Sequence, residues 1–215
     1  MTLHINNFKH VLWDWNGTLF NDAWLCVDII NILLSRRNLK PVTMMQYQED
    51  FTFPVINFYK KVGFDFDKES FEALADEYMV IYHQRRFECK LNDDAVTVLE
   101  EFKKRGVTQS ILSAYQHTML EEAVTYFGIK PYFSHIVGLN DYYAQSKIEN
   151  GKNLIARFES DKSKIVIIGD TTHDFEVARE IGINCILLNG GHYAKHRLIA
   201  CNTRVVENLK DILYL

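Results

Sequence analysis

His10-Val-Leu-Trp-Asp14-Trp-Asn16-Gly17-Thr18-Leu19 is the stretch on which the reading of this chain turns. An apolar run stops at a carboxylate, and a Gly-Thr turn follows at once. If residues 11–13 form a buried parallel strand, Asp14 stands at its carboxyl end, where open α/β sheets collect ligands in the crevice above their strands. A carboxylate in so apolar a setting requires a partner or a task.

Other segments repeat the theme. Gln109-Ser-Ile-Leu-Ser113 is an apolar run closing on a hydroxyl, and Lys164-Ile-Val-Ile-Ile-Gly169-Asp170-Thr-Thr-His-Asp174 is a β-branched run closing on two carboxylates. Between them, Ser146-Lys147-Ile-Glu-Asn-Gly-Lys152 offers two lysines. From residue 107 onward short β-branched runs (107–112, 134–138, 165–168, 184–188) alternate with helical spacing (118–127, 151–158, 174–181), the pattern of a parallel sheet built from βα units. Residues 21–89 break that rhythm with helical spacing at 23–35, 55–62 and 71–86. The expected organisation is a core at 1–20, a helical insert at 21–89 and the rest of the core at 90–215, with hinges at 20–22 and 90–93. There is no internal repeat and no low-complexity tract.

Taken in order, these segments resemble the signature of the haloacid dehalogenase superfamily, whose first motif reads Asp-x-Asp-Gly-Thr, and most of all its phosphoglycolate phosphatase-like branch. Here Asn16 replaces the second Asp. The resemblance implies a Rossmann-like doubly wound parallel sheet, an α/β fold, with the insert serving as an α-helical cap. It implies a Mg²⁺-dependent phosphatase-like hydrolase acting on a small phosphorylated metabolite through an aspartyl phosphate on Asp14. Asp14, Asn16 (through its backbone carbonyl), Asp170 and Asp174 would hold the metal. Thr18, Ser113, Ala114 and Lys147 would contact the phosphoryl group, and Lys147 would also neutralise Asp14. Lys152 competes for the lysine role, but Lys147 is preferred because it stands ahead of the helical stretch. His173 and His192 are read as polar residues outside the metal's ligand set.

The residue types suit the chemistry. A phosphate ester repels nucleophiles, so catalysis is positioning and charge neutralisation. Mg²⁺ takes oxygen ligands in near-octahedral geometry, commonly one or two carboxylates with substrate phosphate and water. Taken singly, Asp14 could be a turn residue, and Asp170 with Asp174 a helix-capping pair.

Asn16 puts one step in question, because an amide cannot shuttle the leaving-group proton, and general acid–base catalysis contributes about a hundredfold to ten-thousandfold. Asn16→Asp is therefore expected to raise hydrolysis. The alternative function is a catalytically impaired homologue that binds a phospholigand or protein partner without turnover.

Composition narrows the rest. The chain has 215 residues with 47% hydrophobic content, enough for one sizeable core. A formal net charge of −4 with scattered Lys and Arg argues against nucleic acid. No apolar run is long enough for a membrane helix, and the amino terminus lacks a signal-peptide core, so a cytoplasmic protein is expected. Cys26, Cys89, Cys185 and Cys201 are far apart and are read as reduced thiols. A monomer is the default.

Overall fold

The computed structural model describes residues 4–139, 145–158 and 160–215. Strand β1 (His10–Trp13) lies at the centre of a six-stranded sheet with β4 (Thr108–Gln116), β5 (His135–Leu139), β6 (Ile165–Gly169), β7 (Asn184–Leu188) and β8 (Arg204–Val206). The spatial order is β5-β4-β1-β6-β7-β8, and every pairing is parallel. The chain builds outward from β1 on one side through β4 and β5, then returns to build the other side from β6. The strand order therefore reverses between β1 and β6, which is where a doubly wound sheet opens its ligand crevice.

Val11, Leu12 and Trp13 are fully buried because the sheet is covered on both faces. Side chains alternate across the sheet, so the two faces carry separate apolar clusters. Val11 and Trp13 pack with Val98, Leu99 and Phe102 of α5 (Ala95–Lys104) and Leu120 of α6 (His117–Tyr126). Leu12 faces the other way, onto Leu154 of α7 (Gln145–Ile155), Val177 of α8 (Thr172–Ile181) and Leu198 of α9 (Lys195–Ile199).

Between β2 (Phe20–Asn21) and β3 (Lys90–Leu91), which pair antiparallel, lie α1 (Ala23–Arg36), α2 (Met44–Asp50), α3 (Val55–Lys61) and α4 (Phe71–Arg85). Leu25, Ile29 and Leu33 recur every four residues on α1 and give it one apolar stripe. That stripe joins Tyr47, Phe58 and Leu74 in the same cluster as Val11 and Trp13, so the insert and one sheet face share an apolar interior. Among the described residues no helix is long and apolar enough to cross a membrane.

The sequence reading did not mark α5, α9 or β8, and three further elements differ from it. α2 is absent from it because Met-Met-Gln-Tyr-Gln-Glu-Asp has no apolar stripe. Its start was nonetheless marked, since Thr43 and Gln46 form a reciprocal capping box. β4 runs through Ser113 to Gln116, with a register shift after Leu112. α7 begins at Gln145, which puts Lys147 in its first turn instead of a preceding loop. Gly151 looked like a helix start, but it sits mid-helix, where a Cβ would lie 3.1 Å from Leu112 and 3.3 Å from Ile181. The glycine lets α7 approach the sheet and α8 closely.

Candidate active site

Four elements converge at the carboxyl ends of the central strands. Asp14 extends β1, its amide donating to the Ile168 carbonyl of β6 at 2.9 Å. Asp170 follows β6 directly, and Asp174 stands in the first turn of α8. Ser113 lies in the neighbouring strand β4 just past its register shift, two positions beyond the Ile111 that pairs with Trp13. Asp14, Asp170 and Asp174 can each offer an oxygen such that all three lie within 4.8 Å of one another.

Lys147 ties this cluster together. Its Nζ donates to Asp14 Oδ1 and to Asp174 Oδ1, both at 2.7 Å, with only 3% of the lysine side chain exposed. Lys152, by contrast, is half-exposed and pairs with Glu149 on its own helix. Asp174 also serves its helix, since Oδ2 accepts from the Thr171 amide and hydroxyl. The capping reading and the cluster reading of this residue are thus both satisfied, by different oxygens. Asp170 accepts from the Thr18 hydroxyl at 3.1 Å and from the His192 amide at 2.6 Å.

Burial and charge pairing oppose each other in the titration of the cluster. Desolvation pushes Asp14 and Asp170 above the ordinary carboxylate range, and mutual repulsion with Asp174 adds to it. Burial acts on Asp174 in the same sense, but Lys147 and Thr171 outweigh it and hold that carboxyl below its usual value. Desolvation opposes the charge on Lys147, yet Asp14 and Asp174 keep it protonated. With all groups ionised, three carboxylates and one ammonium leave two negative charges uncompensated in a dry crevice.

The turn after Asp14 is shaped by close approach. Gly17 has φ of +71°, and a Cβ there would fall 2.2 Å from Asp170 Oδ2. The sequence reading gave the Thr18 amide and hydroxyl to a phosphate oxygen. Both have internal acceptors instead, the amide donating to Trp15 O at 3.2 Å and the hydroxyl to Asp170. Ser113 Oγ accepts from the Tyr115 amide at 3.0 Å, which leaves its own proton to donate. Ala114, half-buried beside it, makes no side-chain hydrogen bond.

Asn16 finds its side-chain partners outside the carboxylate cluster. Its Nδ2 donates to Asp22 Oδ2 at 2.7 Å and to the Tyr82 hydroxyl at 3.0 Å, and Tyr82 itself donates to Asp22. Asp22 also accepts from the Gly17 amide and lies 3.3 Å from His192 Nε2, a contact that is ionic but not directed as a hydrogen bond. Burial alone would raise Asp22, but His192, Tyr82 and Asn16 together hold it below the carboxylate range. Burial would lower His192, and the surrounding carboxylates, Asp22 foremost, push it up to about 9. His192 Nδ1 bonds the Tyr47 hydroxyl at 2.8 Å.

Asp22, Tyr47, Tyr82 and His192 were not among the sequence-derived site residues. The only local signal was the position of His192, just past the Gly190-Gly191 turn that follows β7, at the same sheet edge as Asp14 and Asp170. A cavity of about 810 Å³ lies at the opposite, amino-terminal edge of β7 and β8, near Phe175, Arg179 and Arg204.

A doubly wound sheet with acidic side chains around one lysine at its switch point places the chain among the α/β proteins that bind ligands at the carboxyl ends of their strands. Within that class the chain belongs to the haloacid dehalogenase-like hydrolases, whose family model matches residues 11–188. It is 23% identical over 199 residues to a phosphoglycolate phosphatase of Caulobacter vibrioides, covering 89% of this chain and 83% of that one. Among solved structures, a Clostridium difficile protein superposes with a TM-score of 0.78 at 25% identity, covering 96% of this chain and 99% of that one. A haloacid dehalogenase-like hydrolase of Streptococcus pneumoniae gives 0.79 at 16% identity, covering 97% and 98%.

Proposed function

We propose that this protein is a Mg²⁺-dependent phosphatase acting on a small phosphorylated metabolite, with Asp14 as the nucleophile and residues 21–89 as a cap. The observation that carries the reading is the buried Lys147 ammonium held by both Asp14 and Asp174 beside Asp170. The likeness to a phosphoglycolate phosphatase supports phosphate-ester chemistry over other reactions of the fold.

The donor set suits a hard divalent cation, since it is all oxygen and its surplus charge of two matches one Mg²⁺. Asp14, Asp170 and Asp174, with the backbone carbonyl of Asn16, would hold it. When bound, it neutralises phosphoryl oxygens. Asp14 Oδ1 is occupied by Lys147, so Oδ2 attacks phosphorus as the ester P–O bond breaks; the leaving oxygen departs as an anion with that bond's electron pair, and the phosphoryl group stays on Asp14. Lys147 and the Ser113 hydroxyl hold the transferred oxygens. Water then cleaves the acyl phosphate and frees Asp14.

Assay with a nitrophenyl phosphate and an alkyl phosphate tests this. Mg²⁺-dependent hydrolysis of the first and little of the second is expected, because Asn16 cannot protonate a poor leaving group. Mg²⁺-dependent phosphate binding with no release from either substrate would instead establish the non-catalytic phospholigand reading.

The contacts of Asn16 alter the expectation for Asn16→Asp. A carboxylate there would sit against the buried Asp22 at the present 2.7 Å donor distance, so the single variant loses stability before it gains a proton donor. In Asn16→Asp with Asp22→Asn, the amide and carboxylate exchange places and the contact is kept. Alkyl phosphate turnover is expected to rise about a hundredfold or more in the double variant. A single variant equally active and equally stable would refute the pairing.

Metal should also register without turnover. A carboxyl whose folded pKa exceeds its unfolded one costs stability in full above the folded value, and that cost shrinks as pH falls below it, reaching zero near the unfolded value. Asp14 and Asp170 are of this kind, so the metal-free protein should gain melting temperature from about pH 8 to about pH 5. Mg²⁺ should stabilise more at the alkaline end, and chelation should erase the difference. A Mg²⁺ increment independent of pH would count against these ligands.

A further inference from the structure

Arg197, on α9, belongs to none of the roles above. Its Nη1 donates to the carbonyls of Gln48 and Phe51, both at 2.8 Å, at the carboxyl end of α2. Free carbonyls and the negative end of the helix dipole favour a cation there. The guanidinium lies 3.7 Å above the Tyr193 ring, which fixes its plane. The same corner of α2 is held again by Ala194, whose amide donates to Gln48 O at 3.1 Å, and by the Gln48 side chain, which donates to Gly191 O at 2.8 Å.

This corner leads directly to the crevice. Tyr47 precedes Gln48 and meets His192, whose amide holds Asp170. Phe51 lies against the His192 ring with centroids 5.8 Å apart. The chain joins the insert to the sheet only through β2 and β3, two residues each. The apolar interior that the insert shares with one sheet face is non-directional, and hinge closure commonly turns on a few residues. A further attachment outside β2 and β3, with a charged donor at its centre, opposes rotation of the insert.

We propose that Arg197 is a positioning residue that pins the α2 corner of the cap to the sheet domain and thereby governs opening of the crevice to substrate. The role in turnover rests on the phosphatase reading; the pin does not. Because its acceptors are backbone carbonyls, Arg197 is the side chain through which the contact can be altered. Lysine brings the charge but not the planar guanidinium that stacks on Tyr193 and reaches two carbonyls, so it should restore the pin only in part.

The test is amide hydrogen exchange on the full chain, with steady-state kinetics on a nitrophenyl phosphate, for Arg197→Met and Arg197→Lys. In the Met variant, exchange across residues 45–53 should accelerate about tenfold while the central strands stay protected. KM should rise several-fold with kcat held within about twofold, and the Lys variant should fall between. Gln48→Leu, which removes only the strut to Gly191, should move the same quantities in the same direction by less, and it decides alone if Arg197→Met does not fold. Unchanged exchange at 45–53, acceleration spread evenly over the sheet, or a fall in kcat at constant KM would each overturn the proposal. A wild type that hydrolyses nothing would sink the phosphatase reading while leaving the exchange result to judge the pin.

Discussion

Asp14→Asn is expected to abolish turnover while leaving the fold intact. The amide matches the carboxylate in shape but cannot attack phosphorus or carry the phosphoryl group, and deleting a covalent nucleophile costs up to about a millionfold in well-studied hydrolases. A loss of at least about a thousandfold is expected here. Stability should move little or upward. Desolvation already disfavours the ionised form of Asp14, so removing its charge relieves that cost, and Lys147 retains Asp174 as a partner. Initial rates with a nitrophenyl phosphate, beside a thermal melt, check both halves. A variant retaining a tenth of the activity would remove Asp14 from the role of nucleophile.

Lys147→Met should produce the largest stability loss of any single change at the crevice. It leaves Asp14 and Asp174 buried with no cation between them, and stripping one partner from a buried ion pair costs about 3–5 kcal/mol. For a chain of this size that corresponds to a fall in melting temperature of roughly 6–20 °C. Lowering pH should restore part of the loss, because protonating Asp14 and Asp174 removes the repulsion. Mg²⁺ should restore part at neutral pH by supplying the missing charge. Lys152→Met is the control, since that side chain is half-exposed and its pair with Glu149 is screened by solvent. Equal melting temperatures for the two variants would end the assignment of Lys147.

The principal carboxylates were legible because each closes a strand. An apolar run that stops at a charged residue exposes the end of a buried strand, and in a parallel sheet all such ends lie on one edge. That argument found Asp14 and Asp170 from residues near them in sequence. Lys147 was separable from Lys152 only by its expected position, and the helix in fact begins earlier, because Gly151 serves close packing and does not mark a start. The local pattern also missed α2, whose burial falls on Tyr47 alone.

The network around Asp22 was not legible by the same means. Its members come from the strand leading into the insert, from α2, from α4 and from the loop after β7, and no periodicity links them. Asn16 read as a lost proton donor, but in three dimensions it is one half of a hydrogen bond whose other half, Asp22, carries the charge. Arg197 looks like any surface arginine on a short helix until α2 presents its carbonyls to it.

The chain's own order of residues therefore determined the strands, the edge of the sheet that carries the acidic groups, and the family, because hydrophobic periodicity and strand-end polarity are local properties. Only the tertiary structure decided which cation compensates those acids, where Asn16 points and how the helical insert is fastened, because these depend on distances between segments separated by as many as 149 residues. Such distances are set by the packing of the whole core, and no short window of sequence contains them.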